Sequence, residues 1–344
     1  MPELRFDPLQ NQWVIIATER ETRPSDLDYR AKYNHVTACP FCEGNESLTP
    51  PEIWAIRDPN TFLNSPGWKV RVVPNKFPAL KIEATGRRIK TGFYEKVEGT
   101  GTHEVIIETP EHDVDLTDFT PEQTKLVLFT YQERLKELYK NPLFKYILIF
   151  KNHGKRAGAS LAHSHSQVIA MPIIPRNVSL KLQVAKKHFQ KKKHCLICEL
   201  IQQERKNKVR VISLDGRFIA WTPFASRFPF EIFIAPIKHN HRFEEIGNND
   251  LESLSKFLKD VLLRLKSVLN DPPYNFILNT SQNLKACSKS SKDKLPAIKY
   301  YYHWHIEIIP RLTRIAGFEW GSGIYINPCV PEAAAKYLRD VKIV

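Results

Sequence analysis

The sequence predicts an α+β fold built from two duplicated halves, each an antiparallel sheet with packed helices. One series of features occurs twice along the 344 residues, in the same order. Each series begins with a Cys-x-x-Cys pair and ends with a His-x-His pair that enters an apolar run. Between these pairs, strand-like runs flank a stretch with helical spacing. Two matching series indicate an internal duplication.

The first half contains these features in a simple order. Cys39 and Cys42 come first, followed by a strand-like run at residues 104–108 that leads to His112. Leucines then recur near helical spacing between residues 120 and 140, which predicts an amphipathic helix. A β-rich run at residues 146–150 leads to Asn152, and His163-x-His165 enters the apolar run at residues 168–172.

The second half repeats the order. Cys195 and Cys198 are followed by a strand-like run at 230–234 that leads to His239, and by a helical stretch near 250–269. A strand-like run at 275–278 comes next, and His303-x-His305 enters the run 306–310. We expect a loop between Pro175 and His194 to join the halves, which we place at residues 1–178 and 179–344.

Composition limits the class of protein. The chain is 42% hydrophobic and 26% charged, as in folded globular proteins. It has no apolar run near the roughly 18 residues of a membrane span, and its first residues lack a signal-peptide pattern, so we expect a cytoplasmic protein without membrane partners. The net charge of +14 favours anionic partners, either nucleic acid or small phosphorylated substrates.

The two Cys-x-x-Cys pairs predict metal sites, because such a pair supplies two thiolates from one tight turn. Each pair is followed by a histidine at a strand end and by a His-x-His pair. We therefore predict one site at Cys39, Cys42, His112 and His163, and another at Cys195, Cys198, His239 and His303. These donors favour zinc, and iron remains open for the second site. The alternatives are reduced core thiols or a redox motif. A zinc ribbon, in which both Cys-x-x-Cys pairs bind one ion, would need the two pairs about 15–20 residues apart. Here most of the first half separates them, which disfavours this alternative.

The run from His163 to Gln167 predicts covalent catalysis. Residues two apart on a strand face the same side, so His163, His165 and Gln167 share one face and the intervening serines lie behind it. With His163 on the metal, His165 could attack phosphorus through a neutral ring nitrogen. Gln167 could donate to a phosphoryl oxygen. The alternative is that both histidines are structural or are metal ligands.

A polar, glycine-containing loop at residues 152–160 precedes this run. Backbone N–H groups in such a loop, together with the Ser160 hydroxyl, could hold a diphosphate. In the second half Glu307 stands where Gln167 stands in the first, and a carboxylate would repel a phosphate. We therefore do not expect His305 to be a second nucleophile.

Several motifs make the chain resemble the galactose-1-phosphate uridylyltransferases of the histidine-triad superfamily over nearly its whole length. They are residues 5–8, 13–15, 39–42, 73–79, 110–112, 152–167 and 316–323. The resemblance implies two histidine-triad-like halves, the first catalytic and the second carrying the other metal site and a hexose-site loop. It also implies a homodimer. In the implied ping-pong cycle, UDP-glucose uridylylates His165 and a hexose 1-phosphate accepts the uridylyl group.

The resemblance also implies roles for individual residues. Gln167 would contact the transferred phosphoryl group and Ser160 the phosphate of the hexose phosphate, beside Gly158 and Ala159. Asn75 and Asn152 would lie along the nucleotide, and Arg20 or Arg23 near its phosphates. The segment from Gly317 to Asn327, with Phe318 and Gly321, resembles the loop that a neighbouring subunit lends to the hexose site.

Two features resemble another branch, the ADP-glucose phosphorylases, which adenylylate the same histidine. They are the serine at position 164 and the sequence Tyr325-Ile-Asn327 near the C-terminus. The leading hypothesis is thus a UDP-glucose–hexose-1-phosphate uridylyltransferase, and the alternative is an ADP-glucose or dinucleoside-polyphosphate phosphorylase. A zinc-stabilised nucleic-acid-binding protein is disfavoured, because the lysine clusters at 186–193 and 285–294 contain almost no aromatic residues for base stacking.

Overall fold

The computed structural model describes residues 2–17, 38–83, 87–287 and 298–343. Fifteen strands lie within these ranges: β1 (Glu3–Asp7), β2 (Gln12–Ile16), β3 (Trp54–Arg57), β4 (Trp68–Pro74), β5 (Arg88–Thr91), β6 (Tyr94–Val97), β7 (Thr102–Ile107), β8 (Tyr146–His153), β9 (His165–Met171), β10 (Val211–Leu214), β11 (Phe218–Trp221), β12 (Ile232–Pro236), β13 (Tyr274–Asn279), β14 (His305–Pro310) and β15 (Tyr325–Asn327). The α-helices of the same ranges are α1 (Pro121–Leu138), α2 (Arg176–Lys192), α3 (Leu196–Asn207), α4 (Asn248–Leu269), α5 (Leu284–Cys287), α6 (Gly317–Ser322) and α7 (Pro331–Asp340).

Ten of the strands form one continuous antiparallel sheet that both halves share. Its order is β10-β11-β12-β14-β13-β8-β9-β7-β4-β3. The halves meet at the antiparallel pair β8 and β13, where Asn152 lies opposite Asn275. The prediction of an α+β fold with antiparallel sheets is confirmed, and the two five-stranded sheets join edge to edge.

The duplication is visible in the topology. Read outward from the centre, the first half gives β8-β9-β7-β4-β3 and the second gives β13-β14-β12-β11-β10. In chain order each half runs through three strands, a long helix and two more strands, with β5 and β6 forming a separate hairpin in the first half. Equivalent strands thus occupy equivalent places, and β9 and β14, which follow the two His-x-His pairs, are equivalent.

Helices α1 and α4 cover one face of the sheet and pack against each other. The Thr120 hydroxyl caps α1 by accepting from the Gln123 backbone N–H at 3.1 Å, and Pro121 at the first helical position fits the fixed φ of proline. Helix α4 buries an apolar stripe that includes Leu254, Leu258 and Leu262. Each fully buried leucine contributes about 1.5–3 kcal/mol of hydrophobic stabilisation. This core leaves the opposite face of the sheet for the site.

The segment between Pro175 and His194 is not the loop that we expected. It contains helix α2, which buries Val178, Leu182 and Ala185 at spacings of four and three residues. This spacing is helical, and the abundance of lysine concealed it in the sequence. The boundary predicted after residue 178 therefore lies inside a helix.

The N-terminal hairpin of β1 and β2 packs on the C-terminal half of the chain. Strand β15 pairs with β2 in parallel, and Arg5 Nη1 lies 2.8 Å from a Glu332 carboxylate oxygen. The first and last parts of the described sequence are thus joined. Across the described ranges, every helix is too short or too polar to span a bilayer.

Candidate functional site

Strand β9 divides the residues of the His-x-His-x-Gln run between the two faces of the sheet, as alternation predicts. The Ser166 hydroxyl lies on the helix face, 2.5 Å from the Tyr131 hydroxyl of α1, and Ser164 donates to Glu108 at 2.7 Å. His165 and Gln167 lie on the opposite face. The serines therefore anchor the strand to the core and leave the other face for chemistry.

His165 is held in one orientation and one tautomer. Its Nδ1 lies 2.8 Å from the His163 carbonyl oxygen, which can only accept, so Nδ1 carries the proton. Nε2 therefore keeps its lone pair, as a nucleophile requires. The ring is 6% exposed and packs edge-on against Phe41, with centroids 5.3 Å apart. Burial lowers the pKa of His165 and favours the neutral ring.

A buried charge cluster supports this strand from behind. Lys151 Nζ lies 2.8 Å from Glu108 Oε2, 3.1 Å from Asp115 Oδ1 and 3.5 Å from the His165 carbonyl oxygen. The Lys151 side chain is only 2% exposed, so its charge is balanced by these two carboxylates and not by solvent. Lys151 was not among the residues predicted from the sequence, because it lies 43 positions from Glu108 and no motif links the two.

Gln167 is bonded to a residue that the sequence analysis also missed. His103 Nε2 of β7 lies 2.8 Å from Gln167 Oε1 and 3.2 Å from the Asn75 side-chain nitrogen. Asn75 follows β4 and contacts His103, so it lies beside the same face. A cavity of about 1110 Å³ is lined by Asn75, His103 and, further along, residues of α1.

The loop after β8 lies on the other side of His165. Together with Asn152, His153 and Asp271, it lines a cavity of about 480 Å³ that His165 also borders. Gly154 has φ +81°, and a Cβ there would lie 2.8 Å from Pro273 Cβ, so the turn requires glycine. The Asn152 side-chain oxygen accepts from Asn275 at 2.8 Å. Ala159 is buried and Ser160 exposed at the end of this loop.

The four predicted ligands of the first half come together in space. The donor atoms of Cys39, Cys42, His112 and His163 all lie within 4.8 Å of one another. Cys42 Sγ is 3.3 Å from His112 Nδ1, close to the roughly 3.5 Å between ligands of one tetrahedral zinc ion. His163 Nε2 donates to the Thr109 carbonyl at 2.7 Å, which turns the lone pair of Nδ1 toward the sulfurs. These residues fit a divalent metal.

The second half contains an equivalent cluster of Cys195, Cys198, His239 and His303, with donor atoms within the same 4.8 Å. His303 Nε2 donates to the Pro236 carbonyl at 3.0 Å, and His239 Nε2 to the Lys299 carbonyl at 2.8 Å. Both histidines thus turn Nδ1 toward the sulfurs. The described part of the chain therefore contains two Cys/His clusters that could bind metal ions.

The surroundings of His305 in the second half differ from those of His165. His305 is fully buried and stacks on Phe233, with centroids 4.4 Å apart. Glu307, which replaces the glutamine, pairs with Lys181 of α2 and with Arg227 at 2.9 Å. The position equivalent to Gln167 is therefore occupied by a carboxylate that takes part in two buried ion pairs. The sequence showed the acid at position 307 and gave no sign of its two cationic partners.

The remaining predicted residues lie apart from His165 or outside the described ranges. Arg20 and Arg23 are outside them. Gly317, Phe318 and Gly321 belong to helix α6, which leads into β15 beside the N-terminal hairpin. The Asn327 side chain is buried, and its amide donates to the Ser226 carbonyl at 2.9 Å while its oxygen accepts from the Cys329 backbone N–H at 2.9 Å.

Comparison with known proteins gives a consistent result. Residues 1–175 match the family described as galactose-1-phosphate uridyl transferase, N-terminal domain. The chain is 37% identical to an ADP-glucose phosphorylase of Arabidopsis thaliana, over 99% of this chain and 93% of that protein. It is 29% identical to a galactose-1-phosphate uridylyltransferase of Thermotoga maritima, over 100% and 99% of the two chains.

Solved structures agree in fold. A crystal structure of an Arabidopsis thaliana ADP-glucose phosphorylase with bound ADP-glucose aligns with a TM-score of 0.83 and 35% identity, covering 100% of both chains. A uridylyltransferase structure aligns with a TM-score of 0.74 and 27% identity, covering 98% of this chain and 97% of the other.

Proposed function

Since the chain belongs to the galactose-1-phosphate uridyl transferase family and is a nucleotidyltransferase, we propose that His165 carries a nucleoside monophosphate between two phosphorylated substrates. One observation carries this proposal: the His165 ring is fixed by the His163 carbonyl with Nε2 unprotonated, and His165 borders a cavity of about 480 Å³. Such a ring needs no reorganisation before it attacks phosphorus.

In the first step, the lone pair of His165 Nε2 attacks the α-phosphorus of a nucleotide sugar. The bond between that phosphorus and the bridging oxygen to the β-phosphorus breaks, and the sugar 1-phosphate leaves with the electron pair. A nucleotidyl group bonded to Nε2 remains. The positive charge that develops on the ring is stabilised by the hydrogen bond from Nδ1 to the His163 carbonyl. The Gln167 amide donates to a non-bridging phosphoryl oxygen.

In the second step, an acceptor phosphate oxygen attacks the same phosphorus and the bond to Nε2 breaks, which restores neutral His165. The loop at residues 154–160 and the Ser160 hydroxyl bind the phosphate groups that flank the reacting one. A metal held by Cys39, Cys42, His112 and His163 would fix His163 in place, and through its carbonyl the His165 ring. We propose zinc for both clusters on the basis of the donor atoms, with iron as the alternative in the second.

ADP-glucose is the first candidate donor, with inorganic phosphate as acceptor and glucose 1-phosphate and ADP as products. The identity of 37% over nearly the whole chain supports it, as does the structural likeness to an ADP-glucose phosphorylase. The second candidate is the reaction that the sequence analysis ranked first, uridylyl transfer from UDP-glucose to a hexose 1-phosphate. The relative from Thermotoga maritima at 29% identity supports it.

The two candidates are separated by incubating the protein with ADP-glucose or UDP-glucose labelled at the α-phosphate. We expect label to remain on the wild-type protein from ADP-glucose and to be released as ADP when phosphate is added. Retention from UDP-glucose alone, with release by hexose 1-phosphate, would support the second candidate. His165→Gly should retain neither label, and retention by that variant would contradict the assignment.

We also propose a cytoplasmic homodimer in which the segment 317–327 completes the site of the partner subunit. Trp320 and Phe318 on α6 are 78% and 48% exposed, so they are available to a second copy. Replacing both by serine should lower the sedimentation mass from dimer to monomer and reduce turnover. A dimeric, fully active variant would contradict this arrangement.

A further inference from the structure

His103 lies next to Gln167 on the face of the sheet that carries the site. In the pairing of β7 with β9, Val105 lies opposite Gln167 and His103 opposite Ile169. His103 and Gln167 are therefore diagonal neighbours, within reach of long side chains. His103 is half-buried and lines the cavity beside Asn75.

The tautomer of His103 follows from its hydrogen bonds. The Ala79 backbone N–H donates to His103 Nδ1 at 3.2 Å, so this nitrogen has the lone pair. Nε2 then carries the proton and donates to Gln167 Oε1 at 2.8 Å, the shorter of its two contacts. The other contact, at 3.2 Å, is with the Asn75 side-chain nitrogen, which is itself a donor and cannot accept this proton. The His103 carbonyl accepts from the Asn75 backbone N–H at 2.8 Å, which ties the strand to the same loop. The ring is thus held from two sides and presents a donor to Gln167.

A glutamine beside a phosphate can present either its oxygen or its nitrogen, because the two ends of the amide have the same shape. The oxygen end would repel a phosphoryl oxygen, whereas the nitrogen end donates to it. Because His103 donates to Oε1, the oxygen end is engaged and the NH₂ end is left to face the reacting group.

We propose that His103 is a positioning residue that fixes the orientation of the Gln167 amide for nucleotidyl transfer. This proposal rests on the proposed function, in which Gln167 contacts the phosphoryl group. It predicts that His103 acts only through Gln167, and that the position needs a donor where Nε2 lies. The alternative is that His103 only holds the loop at Ala79 through Nδ1.

The test measures the single-turnover rate at which the α-phosphate label reaches the protein. His103→Leu should slow this step about 10- to 100-fold, as loss of an orienting hydrogen bond does in other sites. In a Gln167→Ala background the same change should cost less than about twofold, because no amide remains to be oriented. Equal losses in the two backgrounds would overturn the proposal.

Two conservative variants separate positioning from a structural role. His103→Gln keeps an amide donor near the place of Nε2 and should recover most of the rate. His103→Asn reaches only the place of Nδ1, so it can accept from Ala79 without donating to Gln167, and it should stay slow. Recovery by asparagine but not by glutamine would overturn the proposal. These variants keep a polar group and remain informative if the leucine variant folds poorly.

His188→Leu on α2 is the matched control, since this histidine pairs with Glu199 of α3 and lines neither cavity beside His165 and Gln167, so the variant should transfer label at the wild-type rate. A wild-type protein that takes no label from either nucleotide sugar would overturn the proposed function, and the role of His103 with it. Normal labelling of both wild type and His103→Leu would overturn the role of His103 alone.

Discussion

Replacing Lys151 by methionine would remove an ammonium group that is bonded to both Glu108 and Asp115. The side chains of Lys151 and Glu108 are 2% and 0% exposed, and that of Asp115 is 18% exposed, so solvent cannot take over the role of the lysine. Breaking a buried pair by removing one partner costs about 3–5 kcal/mol. At about 2.1 cal/mol/K per residue, the unfolding entropy of a chain this size is about 0.7 kcal/mol/K. The melting temperature should therefore fall by about 4–7 °C.

The assay is thermal unfolding followed by circular dichroism at pH 7. Lys140→Met is the matched control, because the Lys140 side chain is 70% exposed and its pair with Glu137 is worth little in water. It should shift the midpoint by less than about 1 °C. Adding Glu108→Gln to Lys151→Met should recover part of the loss, since one uncompensated carboxylate disappears. A Lys151→Met protein as stable as the wild type would refute the charge balance described for the cluster.

Three further predictions concern pH, metal and the second half. Burial alone would lower the pKa of His153, but hydrogen bonds to Asp115 and Asp271 outweigh it and raise the pKa to about 9. Protonated His153 therefore stabilises the folded state fully below pH 6.5, and this contribution is lost as pH rises toward 9. Chemical denaturation should show the free energy of unfolding falling by about 1–3 kcal/mol over this range, and His153→Gln should abolish the fall. A variant with the same fall would contradict the role of His153. Cys195→Ser should lower bound metal from two ions per chain to one by elemental analysis, and two ions in that variant would contradict the ligand set. His305→Gln should keep the transfer rate per folded molecule within about twofold, whereas loss of labelling would make His305 catalytic.

Much of the fold could be predicted because its strongest signals are local. Periodicity placed the helical stretch of α1 and the strand that leads from His165, and the repeated order of motifs revealed the duplication. The joining of both sheets through Asn152 and Asn275 depends on an edge pairing that no local pattern encodes. Helix α2 was missed although its buried positions have helical spacing, because a lysine-rich stretch suggested a solvated loop.

The site was predicted where chemistry and spacing coincide, as in the two Cys/His clusters and in the opposite faces of His165 and Ser166. Individual site residues were missed where their role depends on strand register. His103 shares a face with Gln167 only because of the pairing of β7 with β9. Lys181 reaches Glu307 across 126 positions of sequence, so no motif could link them.

A covalent nucleotidyl group on His165 can be detected by peptide mass spectrometry of the protein trapped with ADP-glucose or UDP-glucose in the absence of acceptor. We predict one nucleoside monophosphate on the peptide that contains His165, located on that ring by fragmentation, and none on His165→Gly. Modification at another residue, or turnover of a nucleotide sugar without any adduct, would contradict it.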